Sequence, residues 1–288
     1  MTMTLTVAAI QMTSGAQVEA NLYKAERLIA RAAEQGAQLV ALPENFAVFD
    51  STALAREGEL ERLQNKFSSI LADWGARYNV WLVGGTVPSR TRRPGSDEPV
   101  PGARVRTRCH VHAPDGQLVS YYDKLHLFDV DVPDAQGSYR ESSTIEPGEQ
   151  PAVAVTPWAT IGLTICYDLR FPELFHALVL QGASIITVPA AFTYVTGEAH
   201  WLALLRARAI ETQSYIIAPN QTGQNSRTRR TFGHSCIISP WGEILALSEQ
   251  DETVVTAAID LSQVEKLRRQ MPVQQHKRFH VVGPRPQE

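Results

Sequence analysis

The stretch Thr160–Leu180, Thr-Ile-Gly-Leu-Thr-Ile-Cys-Tyr-Asp-Leu-Arg-Phe-Pro-Glu-Leu-Phe-His-Ala-Leu-Val-Leu, constrains the fold of this chain more than any other. Its apolar run from Ile161 to Ile165 has the length of a buried strand, a polar turn follows Cys166, and Pro172 opens an amphipathic helix. A strand that turns sharply into a helix is the repeating unit of α/β sheets. Cys166 then stands at the carboxyl edge of a sheet, where such sheets keep their ligand crevices, and near the positive end of a helix. Both effects favour a thiolate. A lone cysteine after an apolar strand also fits a small buried core residue, so the rest of the chain has to decide.

The rest repeats the same grammar. Strand-like runs at Leu5 to Ile10, Gln38 to Leu42 and Val80 to Gly85 alternate with helical patterns over Val18 to Gln35 and Leu60 to Tyr78. Arg104 to Tyr122 switches to period-two alternation around Ala113-Pro114-Asp115-Gly116, which predicts a hairpin. Asp123 to Gly148 is long and rich in Asp, Pro, Gly and Ser, the composition of a binding loop. Beyond Cys166 come a helix to Gln181, a strand Ser184 to Val188, a loop Ala190 to Gly197 and a helix Glu198 to Thr212. A strand Ser214 to Ala218, a hairpin from Gly233 to Leu247, a strand Val254 to Ile259 and a helix Leu261 to Arg269 complete the pattern, followed by a tail from Met271 that reads as extended. Strand-helix-strand-helix-strand plus hairpin thus occurs twice. Two similar sheets with helices outside, a four-layer α-β-β-α sandwich of α/β class, explains this more economically than one doubly wound sheet. The 288 residues are read as one domain.

Composition narrows the function classes. With 44% hydrophobic and 20% charged residues, and no apolar run of membrane-spanning length, a soluble globular protein is expected, without a membrane partner. A net charge of -3 argues against a nucleic-acid partner, and the basic clusters at Arg90 to Arg93, Arg104 to Arg108 and Arg227 to Arg230 read as solvated surface. The N-terminal segment lacks the basic region and cleavage site of a secretory signal and reads as a first strand. Cys109, Cys166 and Cys236 are far apart and show no metal-ligand or paired redox spacing, so no metal or other cofactor is expected and a reducing cytoplasm is the simplest compartment.

Two more strand ends deliver reactive groups. Glu44 follows Gln38-Leu-Val-Ala-Leu-Pro, and Lys124 follows the hairpin in Tyr121-Tyr-Asp-Lys-Leu-His-Leu-Phe. Pro43 fixes the turn before Glu44, and Leu125, Leu127 and Phe128 would bury the backbone around Lys124. A thiol, a carboxylate and an amine suit acyl transfer at a carbonyl or nitrile carbon: the thiolate attacks, the carboxylate moves protons, and the ammonium stabilises the oxyanion. The backbone N–H of Tyr167, at the start of the turn, would be a second oxyanion donor.

These residues resemble the signature of the nitrilase superfamily of carbon-nitrogen hydrolases. Its glutamate, lysine and cysteine correspond to Glu44 in Leu-Pro-Glu-Asn, Lys124 in Tyr-Asp-Lys-Leu-His-Leu and Cys166 in Ile-Cys-Tyr-Asp-Leu-Arg-Phe-Pro-Glu, with similarity from about Val7 to Arg278. The motifs Asp129-Val-Asp-Val-Pro, Tyr139-Arg-Glu-Ser, Thr196-Gly-Glu-Ala-His-Trp and Pro272-Val-Gln-Gln-His-Lys-Arg look most like the Nit branch. The resemblance implies the α-β-β-α nitrilase fold, a homodimer or larger homo-oligomer, and no cofactor. It implies an amidase that hydrolyses a small linear amide through a cysteine thioester with release of ammonia, with deaminated glutathione ahead of 2-oxoglutaramate or 2-oxosuccinamate. It also matches Glu141 to a second family glutamate that orients the lysine or the substrate.

A substrate bearing carboxylates needs cationic partners. Arg170, Arg206, Arg208, Lys277 and Arg278 are the candidate sources, Phe46, Phe192, Tyr194 and Thr196 are candidate pocket walls after strand ends, and His200 beside Trp201 reads as a helix-start packing or pocket residue. Two rival readings remain open on sequence. A Cys-His hydrolase could use His126, His200 or His234, and a thiol redox sensor or binding protein would use Cys166 without hydrolysis.

Overall fold

The computed structural model describes residues 4–96 and 98–279. In chain order the first half comprises β1 (Thr4–Gln11), α1 (Val18–Glu34), β2 (Leu39–Ala41), α2 (Leu54–Gln64), α3 (Lys66–Arg77), β3 (Trp81–Val83), β4 (Val87–Ser89), β5 (Arg106–His112) and β6 (Leu118–Asp123). A short hairpin of β7 (Asp129–Asp131) and β8 (Ser138–Arg140) leads to β9 (Ala152–Val155), β10 (Thr160–Leu163), α4 (Pro172–Leu180), β11 (Ala183–Thr187), α5 (Tyr194–Thr212) and β12 (Tyr215–Ala218). The chain continues through β13 (Thr222–Gln224), β14 (Arg230–Phe232), β15 (Ser235–Ile238), β16 (Ile244–Ser248), β17 (Thr253–Asp260), α6 (Ser262–Gln270) and α7 (Val273–His276).

These strands build two mixed sheets. One runs β17-β1-β2-β3-β5-β4 with β6 also on β5, and the other runs β16-β15-β12-β11-β10-β9. Period-two alternation decides what each face meets. On β1 and β2, Leu5, Val7, Ala9, Leu39 and Ala41 face the core shared with the second sheet, while Ala8, Ile10 and Val40 pack on Leu22, Ala25 and Ile29 of α1 and Phe67, Leu71 and Trp74 of α3. On the second sheet, the helices α4 and α5 bring Phe175, Leu178, Trp201 and Leu205 into the same large core as Ile185 and Ile217. Helix, sheet, sheet, helix is the layering that the alternation of elements implied.

Three local readings are corrected. The helix expected over Leu60 to Tyr78 is two helices, because Asn65 adopts φ 49° and ends α2, while the Glu61 carboxylate turns forward to accept the Phe67 N–H at 2.5 Å and cap α3. Helix α5 begins at Tyr194 rather than Glu198. The glycine that suggested a loop, Gly197, is required by packing, since a Cβ there would lie 2.4 Å from the Phe232 Cβ. The tail read as extended from Met271 contains the helical turn α7, and residues 280–288 lie outside the described part. Among the described residues no helix is long and apolar enough to cross a membrane.

All three thiols are buried and free of disulfides, but they differ in what surrounds them. Cys109 on β5 and Cys236 on β15 sit in the core at 1% and 0% exposure, and burial pushes the Cys109 thiol up to about 12 and raises Cys236 as well. They are expected to be inert, so an aromatic disulfide reagent should label only Cys166 in the native protein and all three thiols in guanidinium chloride. Fast native labelling of two or more thiols would show that the core is more open than these burials describe.

Candidate active site

Each central side chain leaves a strand end on a backbone that cannot easily move. Glu44 lies three residues past β2, followed by Asn45 at φ 56°, whose N–H donates to Thr86 Oγ1 at 2.8 Å. The Gln221 amide donates to the Glu44 carbonyl at 3.0 Å and to Ser14 Oγ at 2.8 Å, tying the loop to the strand end of the other sheet. Lys124 directly follows β6. Its N–H donates to Thr107 O at 3.0 Å and its carbonyl accepts from Gly148 N–H at 2.8 Å, a contact so close that a Cβ on Gly148 would lie 2.1 Å from Asp123 O. The preceding Asp123 is gripped by Arg108 through Nε at 2.6 Å and Nη2 at 2.9 Å, with Arg106 Nη1 at 3.2 Å. Removing one member of such a buried ion cluster costs about 3–5 kcal/mol, so the lysine stands on rigid ground.

Cys166 has φ 46°, the left-handed region that non-glycine residues adopt only at a cost of about 1–3 kcal/mol. The surroundings hold it there: its N–H donates to Pro189 O at 2.9 Å, and a 3-10 turn over Cys166–Arg170 begins with Asp168 N–H on Ile165 O at 3.0 Å. The Tyr167 N–H precedes that first bond of the turn, at the end where amides are left free. The sharp turn lifts the sulfur out of the sheet, as a nucleophile elbow does.

The three strand ends converge. The Lys124 ammonium donates to Glu44 Oε1 at 2.7 Å and to Glu141 Oε1 and Oε2 at 2.9 and 3.0 Å. The Ala191 N–H donates to Glu44 Oε2 at 2.9 Å, and the Phe128 N–H to Glu141 Oε2 at 2.6 Å. Lys124, Glu44 and Cys166 are 2%, 4% and 8% exposed, so the lysine and glutamate are charges held in low dielectric beside a buried sulfur. Burial works against the Lys124 ammonium, yet Glu141 and Glu44 outweigh it and hold the group well above the usual lysine range. Burial raises Glu141 against the opposing pull of Lys124.

Burial also pushes the Cys166 thiol well above its ordinary value, helped by the charge of Glu44 and opposed by Lys124 and the Ala191 N–H. This corrects the expectation of a resting thiolate. The helix α4 starts only at Pro172, one 3-10 turn beyond the sulfur, so its dipole is too distant to compete with burial and an adjacent carboxylate. A carboxylate beside a neutral thiol is placed where it can take the thiol proton.

A cavity of about 780 Å³ opens over these groups and is lined by Glu44, Lys124, Glu141, Cys166 and Tyr167. Of the expected pocket residues, Phe192 and Thr196 line it as well. The others do not. Phe46 is fully buried in the outer core against Trp74, at 6.3 Å between ring centroids, because it lies beyond the left-handed turn at Asn45 and points away from the sheet edge. Tyr194 packs on Phe232 and under the Arg230 guanidinium. Arg170 stacks over Tyr167 and Phe192 with His200 Nδ1 at 3.3 Å, and His200 is exposed on α5 because the helix starts four residues earlier than expected. Arg206 and Arg208 donate to the carbonyls of Gly242 and Leu169, and Lys277 meets His176, so none of them serves the cavity.

Besides Lys124, the cations among the described residues that line it are Arg140 and Arg229. Arg229 donates to Ala191 O at 2.7 Å, on the residue whose N–H holds Glu44, and lies 4.6 Å over the Tyr139 ring. Sequence reasoning missed it, having read Arg227 to Arg230 as a solvated cluster; it sits in the turn of the separate two-stranded hairpin β13–β14. The histidines of the rival hydrolase reading are engaged elsewhere: His126 on Asp168, His200 on Arg170 and His234 on Phe232 O.

The chain belongs to the carbon-nitrogen hydrolase family, whose model matches residues 6–269. It is accordingly a hydrolase of carbon–nitrogen bonds other than peptide bonds. The deaminated glutathione amidase of Yersinia enterocolitica is 42% identical over 273 residues, which are 95% of this chain and 93% of that protein. The omega-amidase NIT2-B of Xenopus laevis is 36% identical over 258 residues, 90% of this chain and 89% of that protein. Among solved structures, Saccharomyces cerevisiae Nit3, a member of branch 10 of the nitrilase superfamily, is similar with a TM-score of 0.83 at 29% identity, covering 96% of this chain and 97% of that one. The two sheets between helices are thus the nitrilase fold.

Proposed function

We propose that this protein is an amidase for deaminated glutathione working through a Cys166 thioester, with Glu44, Lys124 and Glu141 as the charged groups of the reaction. The observation that carries the reading is the Glu44–Lys124–Glu141 array, with Glu44 and Lys124 buried and Glu141 partly exposed to the cavity, beside the neutral Cys166 thiol. Glu44 takes the thiol proton as the sulfur attacks the amide carbon, and the oxyanion lies against Lys124 Nζ and the Tyr167 N–H. Collapse returns the proton from Glu44 to the departing amine and leaves the thioester. Water then loses a proton to Glu44, attacks the thioester, and expels the sulfur, which recovers that proton. Glu141 accepts two hydrogen bonds from the lysine and holds it between the carboxylates through both halves of the cycle.

The leaving group follows from the substrate. Ammonia departs from a primary amide such as 2-oxoglutaramate, whereas deaminated glutathione, an N-substituted amide, loses cysteinylglycine; for that substrate the expectation of ammonia release is replaced. Its carboxylates call for cations, and Arg229 at the cavity wall supplies one. The identity to the Yersinia enterocolitica protein supports the same substrate. The expected result is a higher kcat/KM for deaminated glutathione than for 2-oxoglutaramate or a simple nitrile, measured by product chromatography. The reverse ranking moves the assignment to an omega-amidase or a nitrilase.

The same reading makes the protein a cytoplasmic homodimer or larger homo-oligomer. Three cysteines that form no disulfide with one another support the compartment. The exposed side chains of Ile210, on α5, and Trp241, beside the neighbouring Gly242, supply apolar surface for a second copy.

A further inference from the structure

Asp168 is a carboxylate with no exposed surface, two residues beyond Cys166. A buried carboxylate is costly unless its oxygens are fully satisfied, and an apolar residue of similar size would stabilise such a position more. Asp168 is satisfied by groups from two separate segments. On its own segment, Oδ2 accepts the Ile165 N–H at 2.8 Å, closing the turn that holds Cys166. From the lysine segment, Oδ2 accepts the Tyr122 hydroxyl at 2.7 Å, while Oδ1 accepts the His126 N–H at 3.2 Å and lies 2.7 Å from His126 Nδ1.

Tyr122 and His126 flank Lys124 by two residues on either side. The Tyr122 hydroxyl also accepts the Leu125 N–H at 3.2 Å, so the whole turn carrying the lysine closes on this one carboxylate. His126 is stacked on Phe171 at 3.7 Å between centroids, which ties the far side of the turn to the end of the cysteine elbow. The lysine's contacts to Glu44 and Glu141 fix its charged end but say nothing of the sulfur; Asp168 is the group bonded to both the lysine turn and the cysteine turn.

We propose that Asp168 is a positioning residue for the reaction proposed above, a carboxylate clamp that sets the Lys124 ammonium against the Cys166 sulfur. It touches neither substrate nor sulfur. Asp168→Asn keeps the size but aims an amide N–H at donors it must now oppose, loosening the register of the two turns.

The test measures steady-state hydrolysis of deaminated glutathione, the rate of Cys166 alkylation by iodoacetamide, and the melting temperature in wild type, Asp168→Asn and Tyr122→Phe. Alkylation needs a reachable, deprotonatable sulfur but forms no oxyanion, so it feels Lys124 only through the charge that favours the thiolate and not as an oxyanion donor. Displacing an aligned group by about 1 Å costs about a hundredfold, and Asp168→Asn is expected to lower kcat by that factor with KM within about threefold and alkylation slowed far less. Tyr122→Phe, which cuts only the lysine side, is expected to lower kcat about tenfold with alkylation unchanged, and it decides alone if Asp168→Asn does not fold. Hydrolysis within about threefold of wild type in a folded variant, or alkylation slowed in step with hydrolysis, overturns the clamp. Failure of the wild type itself to hydrolyse amides is a different result, which removes the functional reading and the clamp with it.

Discussion

Cys166→Ala is expected to abolish amide hydrolysis, lowering turnover by on the order of 10⁵-fold or more, as removal of a covalent nucleophile does when its partners act as one unit. The magnitude follows from chemistry that nothing nearby can replace. Cys109 and Cys236 are shut in the core, and the histidines that could serve in another nucleophilic arrangement are held by Asp168, Arg170 and Phe232 O. The fold should persist, because the Cys166 backbone conformation is held by Pro189 O and the Asp168 turn rather than by the sulfur. Mass spectrometry of protein quenched during turnover should find an acyl adduct on wild type and none on the variant. A Cys166→Ala protein with activity within about tenfold of wild type would falsify the thioester mechanism and favour a protein that uses its thiol for something else.

Lys124→Met is expected to be damaging in two separable ways. Loss of the oxyanion donor should cost about 10²–10³ in kcat. Methionine fills the space of the lysine stem, but the buried Glu44 and the partly exposed Glu141 are left with no cation between them, and stranding one side of a buried ion pair costs about 3–5 kcal/mol of stability. Adding Glu141→Gln removes one of the two opposed carboxylates and should recover much of the melting temperature without recovering turnover. Recovery of one property and not the other would separate the lysine's part in folding from its part in catalysis. If Lys124→Met melts with wild type, the three charges are not the coupled buried array that their distances describe.

Much of this was legible before any coordinates. Apolar runs ending at Leu42 and Ile165 marked strands, Pro172 marked the first helical position, and Pro114-Asp115-Gly116 marked a hairpin, because each depends on local sterics that a sequence displays directly. The pocket wall was legible only in part. Phe46 was placed in it from its position after a strand end and His200 from its position near a helix start, but side-chain direction depends on a left-handed residue at Asn45 and on where α5 starts, neither of which spacing reveals. Arg229 was hidden for the opposite reason. Its charge resembled ordinary surface, and only the fold lays it against Ala191 O and the Tyr139 ring.

By itself the sequence determined that this chain alternates strands and helices and delivers a glutamate, a lysine and a cysteine at three strand ends, since periodicity and turn chemistry are local properties. The tertiary structure decided what those groups are to one another. Ion pairing at 2.7 Å, the burial that keeps Cys166 a thiol, and the shared carboxylate of Asp168 all join residues distant in the chain. Their energies depend on separation and dielectric, which exist only once the two sheets have packed.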